Sequence, residues 1–219
     1  MTPRARRLAP KRLALAVGLA LAGGCGPSKP QLVDFSNAAR TYRSLDYSDV
    51  YRRWTRHTKV RRIVEPAIEV WATYKSWDFR EAYVEHYAQI YSLPQAEVAS
   101  LRAGQLEMEQ SSYEIHMAVQ SSRFEWLDLE KSSSAWQVSL VDGTGRAILP
   151  EKIEVLKYPD AYEAEFFPDR TPFTRSYRVR FPRAAIEGPA AGFQGVRTGR
   201  ITLRLASPLG RAELVWQSK

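Results

Sequence analysis

The stretch Tyr113-Glu114-Ile115-His116-Met117-Ala118-Val119 decides the fold. Tyr113, Ile115, Met117 and Val119 fall on one side, and Glu114, His116 and Ala118 on the other. That period of two is the signature of a strand, whose successive side chains point to opposite faces. The pattern recurs downstream at Trp136-Val138-Leu140, Ile153-Val155, Glu163–Phe167, Tyr177-Val179-Phe181, Ile201-Leu203-Leu205 and Leu214-Trp216. Asp142-Gly143-Thr144-Gly145 and Ser207-Pro208-Leu209-Gly210 read as tight turns between strands. Upstream, Ala67–Lys75 sets Ile68, Val70, Ala72 and Tyr74 against Glu69, Trp71, Thr73 and Lys75. About seven to nine short strands predict a mainly β, α+β chain built as an antiparallel Ig-like β-sandwich.

Helical periodicity interrupts this series once. Asp78 with Glu81 three residues on has the form of a capping box, and Phe79, Ala82, Tyr83, His86, Tyr87 and Ile90 follow as one apolar stripe. Pro94 opens a second helix through about Gln110. The pair, at about 78–110, is then an insertion between strands of a single domain spanning 47–219. A short helix over Tyr47–His57, with Val50, Tyr51 and Trp54 on one face, precedes the first strand.

The N-terminus has a different logic. Met1–Arg12 is positive, Leu13–Ala22 is an unbroken apolar run, and Gly23-Gly24-Cys25 is a small-residue end. Ten apolar residues span about 15 Å as a helix, half a hydrocarbon core, so the run suits a signal peptide over residues 1–24 and not a membrane span. Leu21-Ala22-Gly23-Gly24-Cys25 resembles the lipobox of bacterial lipoprotein precursors. The resemblance implies that Cys25 carries the lipid and becomes the new N-terminus. Gly26, in place of Asp, implies delivery to the outer membrane, facing the periplasm. Cleavage by ordinary signal peptidase is the alternative and would leave a free Cys25. Gly26–Asp46 lacks a sustained period and is expected to be a flexible tether holding the domain about 25 Å from the bilayer.

Of the +8 net charge, five charges lie in the leader, leaving a mildly basic body. Export also removes nucleic acid as a partner, so the basic run containing Arg52, Arg53 and Arg56 is a candidate contact for anionic headgroups or a solvated helix face. Arg178, Arg180, Arg200 and Arg204 would share one sheet face if their strands were neighbours. They then need acids such as Glu163 and Glu165, or an anionic partner. Trp71, on the polar side of its strand, either packs beneath the inserted helices, the expected place, or stands as a protein-contact anchor.

One cysteine excludes an internal disulfide and a Cys-based zinc site. The three histidines, His57, His86 and His116, show no metal-ligand spacing, and His86 on its apolar stripe is expected to be packed and hydrogen-bonded. GxSxG and GxxxxGK[ST] are absent, and no metal or cofactor is expected. These readings favour a non-catalytic envelope lipoprotein that binds or scaffolds an envelope protein. The alternatives are a periplasm-facing hydrolase acting on glycan or peptide, and an accessory subunit of a secretion or motility complex. A cleft lined by a histidine and carboxylates would favour the hydrolase.

Overall fold

In a computed structural model, residues 31–62, 65–157, 160–183 and 192–218 of the chain are described. The leader and Cys25 lie outside the described residues. Among the described residues ten strands form two five-stranded sheets, accompanied by four α-helices.

The first sheet comprises β1 (Leu32–Val33), β10 (Gly210–Ser218), β9 (Arg200–Ser207), β5 (Gln137–Asp142) and β6 (Ala147–Ile148), in that order. The second runs β2 (Thr55–Arg62), β3 (Glu65–Tyr74), β4 (Ser112–Gln120), β8 (Arg175–Pro182), β7 (Lys152–Val155). All pairings are antiparallel except β1 with β10. The alternation that identified the strands selects the inward faces. Val70 pairs with Val119, Met117 with Tyr177 and Ile115 with Val179 in the second sheet; Val138 pairs with Leu205 and Leu214 with Leu203 in the first. All of these are buried in one core, and each such side chain removed from water contributes about 1.5–3 kcal/mol. The sheets are sandwich-like. Where they meet, Arg56 of β2 donates from Nε to the carbonyl of Val215 (2.8 Å), and Trp216 Nε1 donates to the carbonyl of Trp54 (2.8 Å).

The outward face of the second sheet is also covered, which is why β4 is buried on both sides. The helices α1 (Tyr47–Trp54), α2 (Trp77–Ile90) and α3 (Gln95–Ser111) pack in sequence, α1 on α2 and α2 on α3. Both α2 and α3 connect β3 to β4 as an insertion.

Several local expectations are corrected. The first helix stops at Trp54, and Thr55–Arg62 is a strand, because β3 offers it a full ladder from Thr55–Thr73 to Arg62–Glu65. The cap of α2 is Ser76, whose side chain accepts from the Phe79 amide. Asp78 is buried and accepts instead from Arg40, Tyr42, Arg53 (3.1 Å) and Trp54 Nε1 (2.6 Å), while Glu81 pairs with Arg102. The segment read as a strand at Glu163–Phe167 belongs to α4 (Asp160–Phe166). Its Phe166 packs on Tyr47, Tyr83 and Tyr162, the last of these four residues back on the same helix face.

The tether is corrected as well. From Leu32 onward it lies on the domain. Val33 is in the core, Phe35 packs against Trp54 and Tyr74, and Arg40 and Tyr42 reach Asp78. A segment without periodicity is held here by single side chains that each meet a distant partner.

Candidate functional site

A groove of about 430 Å³ opens where the neck, the helices and α4 converge. The 3-10 turn at Ser44–Asp46 and α1 supply Ser44, Leu45, Tyr47, Tyr51 and Arg52; α2 supplies His86; the end of α4 and the loop after it supply Glu165 and Asp169. Its lining combines the rings of Tyr47 and Tyr51 with polar groups. His86 stands at the centre, its ring stacked on Tyr47 (4.7 Å, 7°) with Phe166 edge-on. Its Nδ1 hydrogen-bonds with Ser44 Oγ (2.6 Å) and its Nε2 with Glu165 Oε1 (2.7 Å).

The tyrosines fix the walls. Tyr47 donates its hydroxyl to the carbonyl of Phe166 (2.7 Å), and Tyr51 donates to Asp169 (3.0 Å). Burial pushes both hydroxyls above the usual phenol range, with the Asp169 charge adding to the effect on Tyr51. Both therefore stay neutral donors across the physiological range. Chemically, a hydroxyl, an imidazole and a carboxylate in line can hold a polar group of a ligand. The same line has the order of a nucleophile, a base and its orienting acid.

The arginines picked out in the sequence are dispersed. Arg52 lies on the lip of the groove and pairs with Asp49. Arg53 is committed to Asp78. Arg56 donates to the carbonyls of Gln31, Arg53, Thr55 and Val215, and burial lowers its pKa to about 10. β8 and β9 lie in different sheets, so the four downstream arginines do not share a face. Arg178 and Arg180 meet Glu154 (3.8 and 2.5 Å), Arg204 meets Glu213 (2.8 Å), and Arg200 is exposed at the start of β9. Glu163 and Glu165, expected to pair with those strands, pair instead with Arg170 and His86. Trp71 is half-buried and stacks on His57 of the neighbouring strand (4.7 Å), not under the helices, whose Phe79 and Tyr83 pack on Tyr47 and Phe166.

A second polar cluster lies beneath α2. Glu114 meets Lys75 (2.7 Å), with Arg80 and Arg178 each at 3.7 Å. Burial acts against its charge, but Lys75 and the two guanidiniums outweigh it and hold Glu114 at about 2. Burial lowers Lys75 to about 8 against the pull of Glu114. His116, stacked on Phe167 at 3.6 Å, is lowered to about 3 by burial and then by the Lys75 charge, and so is neutral. Packed under a helix, these charges fix α2 to the sheet.

The sequence placed His86 correctly on its stripe but gave no sign of its partners. Ser44 and Glu165 lie 42 and 79 residues away, one in an aperiodic neck and the other in a misread helix. The spacing of Tyr162 and Phe166 was the signal available for that helix. Among the described residues no group of three His, Cys, Asp or Glu side chains is placed to hold a metal, and no helix is long and apolar enough to cross a membrane. In comparisons with known proteins, the chain matches no family model, no curated protein and no solved structure.

Proposed function

We propose that the chain is a bacterial envelope lipoprotein, anchored through Cys25 to the outer membrane and facing the periplasm. Its body is a non-catalytic module that binds an envelope partner in the groove around His86. The leader and the residues Leu21–Cys25 support the anchor. The groove carries the binding reading, because aromatic rings with a few convergent polar groups are what a specific ligand seat requires. The body fits an immunoglobulin-like sandwich in finer detail. The order β3-β4-β8-β7 facing β5-β9-β10 follows the four-plus-three plan of that fold, with Trp136, buried just before β5, at the place of its core tryptophan.

One observation favours a second reading. Ser44, His86 and Glu165 have the connectivity of an acyl-transfer site, which would make the protein a hydrolase acting on glycan or peptide. One experiment separates the two. Intact membranes are treated with a fluorophosphonate probe and, separately, irradiated with a photocrosslinking residue at Leu45, which is 83% exposed beside the groove. The binding reading predicts a discrete crosslinked partner and no probe on Ser44. Probe on Ser44 that disappears in H86N establishes the hydrolase and overturns the non-catalytic reading.

A further inference from the structure

The end of the sandwich opposite the helices is built differently from the rest. There the loop from Ser121 to Trp136 crosses from β4 to β5, a loop ending at Thr174 enters β8, and Pro208-Leu209 turns β9 into β10. Leu127, Leu129 and Trp136 close the core from inside. Outside, Phe124 is 70% exposed and Phe173 is 76% exposed. They are near each other, since Phe124 and Thr174 border one hollow. Arg175 lies over the Phe124 ring at 5.0 Å, and Arg123 over Trp126 at 5.3 Å. On the other side of the same end are Arg61 and Arg211, both exposed and without an acidic partner among the described residues. Glu65, Glu125, Asp128 and Glu130 are acids at this end, and Glu130 is already within 3.9 Å of Arg175. Exposed rings with arginines beside them give a surface that is apolar at its tips, with guanidiniums next to the rings.

The neck shows where the anchor leads. β1 runs parallel to β10, with Leu32 opposite Gln217 and Val33 opposite Ser218. At Leu32 the backward direction of the chain is therefore that of β10 toward Gly210. That glycine, at φ 140°, folds the turn against Val60 of β2, leaving no room for a Cβ, which would lie 2.6 Å from Val60 Cγ1. Cys25 is six peptide steps before Gln31, a reach of at most about 20 Å. The six steps of β10 from Trp216 back to Gly210 cover about the same distance. With residues from 32 onward docked on the body, the acyl chains cannot be much farther from the domain than this end.

We propose that this end, presenting Phe124 and Phe173 among Arg61, Arg123 and Arg211, rests on the anionic phospholipid leaflet that holds the acyl chains of Cys25. The inference rests on the lipoprotein reading and adds to it an orientation. The domain stands with its turns in the headgroups, and its helices and groove point away from the bilayer. Phenyl rings enter the boundary between headgroups and acyl chains, and arginines beside them meet phosphate. A groove held outward is accessible to a periplasmic partner.

The test uses the full-length protein purified from membranes and reconstituted in vesicles of neutral lipid with about a third phosphatidylglycerol, with and without brominated acyl chains. F173C and F124C place a fluorescent label at the tip, and A147C places it at the opposite end, beside the β5–β6 turn; all three sites are exposed. The orientation predicts that bromine lowers emission at positions 173 and 124 by about twofold, as for a group at the boundary of headgroups and acyl chains, and leaves 147 unchanged. R61E/R211E should weaken the quenching at 173. Equal quenching at both ends, or none at the tip in a sample whose Cys25 is acylated by mass spectrometry, overturns the orientation and leaves the anchor standing. An unacylated Cys25 overturns both.

Discussion

The two ends of the sandwich treat their polar groups in opposite ways. At the helical end charges are buried and answered. Asp78 takes Arg40, Tyr42, Arg53 and Trp54, and Glu114 takes Lys75, Arg80 and Arg178. At the turn end Phe124 and Phe173 stand in water, and Arg61 and Arg211 form no ion pair among the described residues. The first arrangement makes sense as stability, because a buried charge is tolerated only when its partners are in place. The second contributes little to stability and fits a surface kept for contact.

This contrast can be broken most forcefully at Asp78. Asp78→Ala takes the acceptor from the Arg53 guanidinium and the Trp54 indole N–H, leaves Arg40 with Asp34 alone among carboxylates, and frees the neck at Arg40 and Tyr42. Removing one partner of a buried charge network costs about 3–5 kcal/mol. Thermal unfolding followed by circular dichroism should show a drop of about 10 °C. A loss of only a degree or two would mean that the cluster is not what ties the neck to the helices.

A smaller effect is expected from acid. His116 is depressed to about 3 in the folded protein, so the unfolded chain binds the extra proton first as pH falls. The stability tied to neutral His116 is complete above its unfolded pKa of about 6.5 and is lost between there and about 3, at up to about 1.4 kcal/mol per pH unit. Glu114, depressed to about 2, adds its own loss only below about 4.5, its ordinary range. Lys75, Glu114 and Arg178 are the charged groups acting on the ring. Urea titrations between pH 7 and 5 should therefore slope downward for the native protein and flatten for H116Q. An unchanged slope would assign the acid sensitivity elsewhere.

The smallest effect belongs to the turn end. F124S and F173S, each replacing a ring that is mostly in water, should change stability by no more than about 0.5 kcal/mol in either direction. A large loss in the same urea titration would show that these rings are packing residues, and the difference between the ends would vanish.

What was legible in the sequence follows the same physics. Strands with one face in the core announce themselves by alternation, so β3, β4, β5, β8, β9 and β10 were readable along with the helical insertion. Glu163-Ala164-Glu165-Phe166 alternates by accident, because α4 buries Tyr162 and Phe166 through helical spacing while Glu163 turns to Arg170. The neck escaped because its order comes from partners far along the chain, with Phe35 on Tyr74 and Asn37 on Glu109. The same cause hid the groove. His86 was visible as a helix residue, but Ser44 and Glu165 meet it only once the neck and α4 have folded back.

The proposed location and orientation both depend on the chemistry of Cys25. The decisive measurement is mass spectrometry of the N-terminal peptide of the protein isolated from the cells that make it. The account predicts a peptide that begins at Cys25 and carries a diacylglyceryl thioether. A peptide that still begins at Met1, or a Cys25 whose sulfur is unmodified, would contradict it.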